Sequence, residues 1–111
     1  MRYIPRKGDI VFINFNPQKG REQAGKRPAI TLSPYEYNKI GLGVFCPITT
    51  KEKGYPFEVK LSETLKTRGV VLSDHIKSLD WTGREIRFIE KADNDLISDV
   101  LSNVEILLFD E

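Results

Sequence analysis

Apolar residues recur at a helical period in only one stretch of this chain, from Asp93 onward, and almost everything before it reads as short β runs broken by glycine and proline. That contrast restricts the fold to strands first and one packed helix last. In the final stretch Leu96, Ile97, Val100, Leu101, Val104, Leu107 and Leu108 fall on one helical face, and Asp93 or Asn94 is placed to cap its start. Ahead of it, strands are expected over residues 8–15, 29–33, 42–48, 57–61, 70–73, 76–81 and 85–89, with a short helical turn over 35–39 after Pro34. Residues 42–48 are apolar on both alternations, the mark of a strand covered on both faces. The expected class is mainly β with α (α+β): a compact SH3-like barrel or strongly curved antiparallel sheet carrying a C-terminal amphipathic helix.

The chain has 111 residues, and 40% hydrophobic against 30% charged residues is ordinary for one globular domain, so residues 1–111 are read as a single domain. A core of this size folds alone and leaves room for a stabilising dimer contact. The single cysteine, Cys46, cannot form an intrachain disulfide and leaves no Cys pair for zinc, which fits a reducing cytoplasm. Basic residues open the chain, but no apolar stretch follows them, and no run is long enough to span a bilayer, so neither a signal peptide nor membrane association is expected.

The formal net charge of +1 argues against a protein that coats nucleic acid through bulk charge. Its distribution is uneven. Residues 1–60 hold 11 Lys and Arg against 5 Asp and Glu, whereas residues 61–111 hold 6 against 11. A bound polyanion would therefore meet the first half of the chain.

Two polar loops interrupt the strands where chemistry could sit. The first, residues 17–28, sets four cations and two glycines around one carboxylate, Glu22; the second, residues 49–56, is again basic and carries Tyr55. No metal-ligand cluster, phosphate-binding glycine loop, dinucleotide fingerprint or serine elbow is present, so neither a metal nor a cofactor is expected. What remains is chemistry with few groups. RNA brings its own nucleophile, the 2′-hydroxyl, and its cleavage needs help with a proton, a cation for the phosphorane and a group that orients phosphate. Arg27, Glu22 and Thr49 are of the right types, although composition alone reads Glu22 and Arg27 as a loop ion pair of little worth.

Residues 8–11 (G-D-I-V), 19–29 (K-G-R-E-Q-A-G-K-R-P-A), 47–50 (P-I-T-T) and 53–57 (K-G-Y-P-F), with 71–74 (V-L-S-D) and 76–79 (I-K-S-L), together resemble the MazF/PemK family of toxin endoribonucleases, most closely its MazF branch. The resemblance implies the CcdB/MazF/PemK-like fold. It also implies the toxin of a type II toxin-antitoxin system, cutting single-stranded mRNA without metal or ribosome at a short sequence, and leaving 2′,3′-cyclic phosphate and 5′-hydroxyl ends. Carried over by position, Arg27 matches the principal catalytic arginine, Thr49 the threonine that holds the scissile phosphate, and Glu22 an acidic helper of the base step. An arginine pKa above about 12 favours an electrostatic role for Arg27. The implied RNA-binding set is Lys19, Gly20, Arg21, Gln23 and Lys26 of the first loop, Thr50, Lys51, Lys53 and Tyr55 of the second, and Phe15 beside them. Tyr55 is the better stacking platform, and Phe57, which opens a strand, reads more as core. The implied partners are a second copy of the chain, as a homodimer, and a MazE-like antitoxin whose acidic disordered tail competes with RNA.

Two other readings share parts of this pattern. One is a gyrase poison of the CcdB kind, which leaves Arg27 and Thr49 without a task; the other is a non-catalytic RNA-binding module. His75 reads as structural or subsite-lining, Trp81 as core or dimer contact, and Cys46 as buried filler.

Overall fold

The computed structural model describes residues 2–16 and 25–110. Among the described residues seven strands, β1 (Asp9–Asn14), β2 (Lys26–Thr31), β3 (Leu42–Thr49), β4 (Glu58–Lys60), β5 (Val70–Leu72), β6 (Lys77–Asp80) and β7 (Arg87–Lys91), alternate with one α-helical turn, α1 (Tyr35–Asn38), and two 3-10 turns, Ser73–His75 and Trp81–Gly83, and are closed by α2 (Asn94–Phe109). Every pairing is antiparallel, and the sheet path runs β4-β5-β3-β2-β1-β7. β6 lies off that path, on the early part of β3. The sheet is thus a strongly curved open one; its path ends at β4 and β7, so the expected alternative of a closed barrel does not hold.

β3 organises this arrangement. Its first half pairs with β6 from Leu42↔Asp80 to Phe45↔Lys77, its last residues pair with β5 at Ile48↔Val71 and Thr49↔Val70, and its other edge carries β2. Both of its faces are covered, as the unbroken apolar run over 42–48 predicts. On one face Cys46 and Ile48 join Ile10, Ile30 and Val71 beneath Leu96, Val100 and Val104 of α2. On the other, Phe45 packs with Val11, Ile13, Phe15, Ala29, Leu79 and Trp81. Burial pushes the Cys46 thiol up to about 12, with the Asp74 charge adding to it, so this sulfur is a packed, protonated side chain. Trp81 satisfies its indole N–H inside the second core by donating to the carbonyls of Asn38 (3.0 Å) and Leu42 (3.1 Å).

α2 starts where the sequence places it: the Asp93 carboxylate accepts from the Leu96 amide at 2.8 Å. Only Leu96, Val100 and Val104 of its apolar residues are fully buried, while Leu107, Leu108 and Phe109 run out past the sheet and stay exposed. The other differences lie at strand ends. β2 begins at Lys26 rather than at residue 29, because its basic start pairs with β1 at Arg27↔Ile13 and Asn14↔Lys26. β7 lies at Arg87–Lys91 rather than 85–89, after a left-handed residue at Glu85 (φ 55°).

One close approach ties the sheet to the chemistry described below. Gly69, at φ +115°, lies directly against the backbone of Thr49, and a Cβ there would overlap the Thr49 carbonyl oxygen. Gly69→Ala is therefore expected to cost about 2 kcal/mol in urea unfolding, well above the effect of a typical surface alanine. A loss below about 0.5 kcal/mol would show that β3 and β5 are not held at this spacing.

Candidate functional site

The start of β2, the end of β3 and the loop 50–56 border a cleft of about 890 Å³. Lys26, Arg27, Thr49, Thr50, Lys51, Lys53, Tyr55, Glu58, Arg68, Asp74 and His75 line it, with Pro28, Ile48 and Leu72 as its apolar floor. Arg27 and Thr49 come from neighbouring strands. Carrying the register Ala29↔Pro47 two residues further along both chains sets one opposite the other, on the same face of the sheet as Ala29, Pro47 and Phe45. The start of β2 and the end of β3 thus meet at one place, at the rim of the second core.

Thr49 is 8% exposed, and its Oγ1 accepts from the Lys51 amide at 3.1 Å. That bond uses a lone pair and leaves the hydroxyl proton to donate, which suits a group that must orient an anionic oxygen. Five cations line the cleft among the described residues, Lys26, Arg27, Lys51, Lys53 and Arg68, against two carboxylates, Glu58 and Asp74. The excess positive charge is gathered in a concave, partly shielded space, where it acts on an anion more strongly than the same charges on an open surface. Among the described residues, no group of three or more His, Cys, Asp or Glu side chains is placed to hold a metal ion.

Of the residues expected at the site, Arg27, Thr49, Lys26, Thr50, Lys51, Lys53 and Tyr55 come together here. Glu22, Lys19, Gly20, Arg21 and Gln23 lie outside the described residues. The residues flanking that segment are held together: the Phe15 amide donates to the Gly25 carbonyl at 2.9 Å, and the Gly25 amide to Asn16 Oδ1 at 2.9 Å. Phe15 itself is a correction. Only 1% of it is exposed, it packs beside Trp81 and Ala29, and it offers no surface on which a base could stack. Its place just before a loop suggested exposure, but the pleat turns it into the second core along with Val11 and Ile13.

Arg68, Glu58 and Asp74 enter the cleft without having been singled out for it. Arg68 stands one residue before the glycine that abuts Thr49, and its Nη1 donates to the Leu65 carbonyl at 2.5 Å. Their positions depend on the pairing of β4, β5 and β3, which no local pattern announces; the only cue was the glycine opening an apolar strand. His75 lines the cleft. Tyr55 donates its phenol to Asp74 Oδ1 at 2.8 Å. Burial, that hydrogen bond and the adjacent Asp74 charge together push its pKa up to about 12.

A family model described as PemK-like, MazF-like toxin of type II toxin-antitoxin system matches residues 6–108. The endoribonuclease toxin MazF of Escherichia coli (strain K12) is 51% identical over 84 residues, 75% of each chain. Among solved structures, MazF from Deinococcus radiodurans superposes with a TM-score of 0.94 at 46% identity, over 96% of this chain and 98% of that one. A chain of the MazE-MazF complex from the same organism follows at 0.86 and 41%, over 97% and 98%.

The Tyr55–Asp74 bond makes a pH prediction. A phenol raised in the folded state adds stability that is complete below the unfolded value of 10 and is lost as pH rises through about 12. Ultraviolet titration at 295 nm should show a tyrosine ionising near pH 12 that is missing in Tyr55→Phe, and the variant should lose less stability than the wild type between pH 10 and 12. An ionisation missing from the variant near pH 10 instead would mean that Asp74 does not hold the ring.

Proposed function

The chain belongs to the PemK-like, MazF-like toxins of type II toxin-antitoxin systems, and from that premise we propose that its cleft cuts single-stranded mRNA at a short sequence without metal or ribosome, stopping translation and growth. It is a toxin endoribonuclease. The observation that carries the mechanism is the meeting of Arg27 and Thr49 in one cationic cleft.

The chemistry follows from what those groups can do. The 2′-oxygen attacks phosphorus, its proton leaves to a base, the P–O5′ bond breaks, and the 5′-oxygen takes up a proton; the products end in a 2′,3′-cyclic phosphate and a 5′-hydroxyl. Charge builds on the non-bridging oxygens of the phosphorane. Arg27 supplies a fixed planar cation for them, and Thr49, with its lone pair already engaged by Lys51, donates its hydroxyl proton to one. Glu22 is the helper in deprotonating the 2′-hydroxyl. Lys26, Lys51, Lys53 and Arg68 hold the flanking phosphates, with Thr50 beside them, and Tyr55 offers a ring to a base. Lys19, Gly20, Arg21 and Gln23 complete the substrate surface from the first loop.

The partner is a MazE-like antitoxin, as in the solved MazE-MazF complexes. In our reading its acidic tail occupies the cleft, because a groove that attracts phosphate attracts carboxylates for the same reason. The working unit is a homodimer, for which exposed apolar side chains such as Ile40 and Phe109 provide surface. No described helix is long and apolar enough to cross a membrane, and the proposed place of action is the cytoplasm, where mRNA is found.

Wild-type protein, Arg27→Ala and Thr49→Ala incubated with a long single-stranded RNA in EDTA, with the 5′ ends mapped, test the reading. Discrete cuts by the wild type are expected, weakened about 100-fold or more in each variant. Intact RNA throughout would overturn the nuclease reading and bring gyrase, tested by supercoiling, to the front. Added MazE-like antitoxin should raise the RNA concentration needed for half-maximal cleavage without lowering the maximum; a lowered maximum at unchanged half-point would place the antitoxin elsewhere.

A further inference from the structure

A cleft built for phosphate has no electrostatic use for carboxylates, yet Glu58 lines it. Its oxygens are engaged. Oε1 accepts from the Lys53 amide at 3.2 Å and the Gly54 amide at 2.7 Å, and Oε2 accepts from the Lys53 amide at 2.9 Å. The Glu58 amide in turn donates to the Tyr55 carbonyl at 3.1 Å. The segment between them is therefore a closed loop whose start is gripped by the side chain of its last residue. Gly54, at φ +82°, supplies the left-handed turn that aims two successive amides at one carboxylate. The far side of the loop is tied to the end of β5, where the Ser73 amide and hydroxyl both donate to the Phe57 carbonyl and Asp74 takes the Tyr55 phenol.

We propose that Glu58 is a positioning residue, whose carboxylate binds the Lys53 and Gly54 amides and so fixes Lys53 and Tyr55 against the RNA strand. This rests on the reading of the cleft as the RNA site. The charge of Glu58 opposes phosphate, but its anchored loop delivers a cation and a ring to the substrate. Its role is thus separable from its charge. A glutamine whose oxygen takes the Oε1 position keeps the Gly54 bond at 2.7 Å and the longer Lys53 contact at 3.2 Å, loses the 2.9 Å Lys53 bond because its Nε2 donates rather than accepts, and drops the negative charge; an alanine loses the anchor altogether.

The two variants should therefore diverge. With a fluorophore-quencher RNA carrying the sequence that the wild type cuts, Glu58→Ala is expected to raise KM about tenfold, with kcat within about twofold of wild type. Glu58→Gln, which keeps the Gly54 bond, is expected to bring KM most of the way back to the wild-type value, most clearly at low salt. Hydrogen exchange gives an independent readout: the Lys53 and Gly54 amides should lose protection in Glu58→Ala, and the Gly54 amide should keep it in Glu58→Gln. An unchanged KM in Glu58→Ala overturns the inference, as does a collapse of kcat in Glu58→Gln, which would make the carboxylate a chemical group. If the wild type cuts no RNA, the nuclease reading fails first, and amide exchange alone still decides whether Glu58 anchors the loop.

Discussion

Burial of β3 on both faces is the constraint on which the rest depends. A strand with apolar residues on both alternations must be covered twice, and the chain covers it with α2 on one side and with Trp81, Phe15 and Phe45 on the other. It must also satisfy backbone groups on both edges, done by β2 along one and by β6 and then β5 along the other. The change of partner from β6 to β5 splits that edge, and past it β3 ends at Thr49. The residue that holds phosphate in our reading is thus the last residue of a strand covered on both faces. Gly69 lets β5 come close to its backbone, where a Cβ would overlap the Thr49 carbonyl oxygen. The Lys51 amide fixes one lone pair of the Thr49 hydroxyl, which favours electrostatic help at little cost in reorganisation.

The anchoring of the cleft's second wall follows a different rule. The loop 50–56 has no core of its own, and its side chains are mostly exposed. Its order comes from polar bonds: the Thr49 hydroxyl on the Lys51 amide, the Glu58 carboxylate on Lys53 and Gly54, and Asp74 on the Tyr55 phenol. Glu90 on β7 holds the neighbouring loop in the same manner, accepting from the Lys66 amide and from the amide and hydroxyl of Thr67 just ahead of Arg68. The carboxylates of Glu58, Asp74 and Glu90 are thus engaged in fixing these loops, by bonds to backbone amides and to the Tyr55 and Thr67 hydroxyls.

Much of this was legible in the sequence, and the limits have physical causes. The periodicity of α2 and the strands are local patterns, whereas the pairing of Arg27 with Thr49 was implied by the resemblance and not by any pattern within one segment. Phe15 was misplaced because proximity to a loop says nothing about which face a pleat presents. The start of β2 was missed because Lys26, Arg27 and Pro28 look like loop chemistry, and only their pairing with β1 makes them strand. Glu58, Arg68 and Asp74 reach the cleft through the β3, β5 and β4 pairings, whose partners are distant in sequence and whose register no single segment encodes.

The uneven charge of the chain acquires a spatial meaning in the fold. The acidic residues at and along α2, Asp93, Asp95, Asp99, Glu105 and Asp110, are exposed, and none of them lines the cleft. Four of the five cleft cations come from the first half of the chain, and Arg68 joins them because β5 must pair with β3. A net charge of +1 therefore hides a cationic cleft whose charge is offset by acidic side chains that do not line it. In our reading, the site takes the polyanion that can bend into a concave cleft and bring one phosphate between Arg27 and Thr49, a requirement that a flexible single strand meets and a stiff duplex does not.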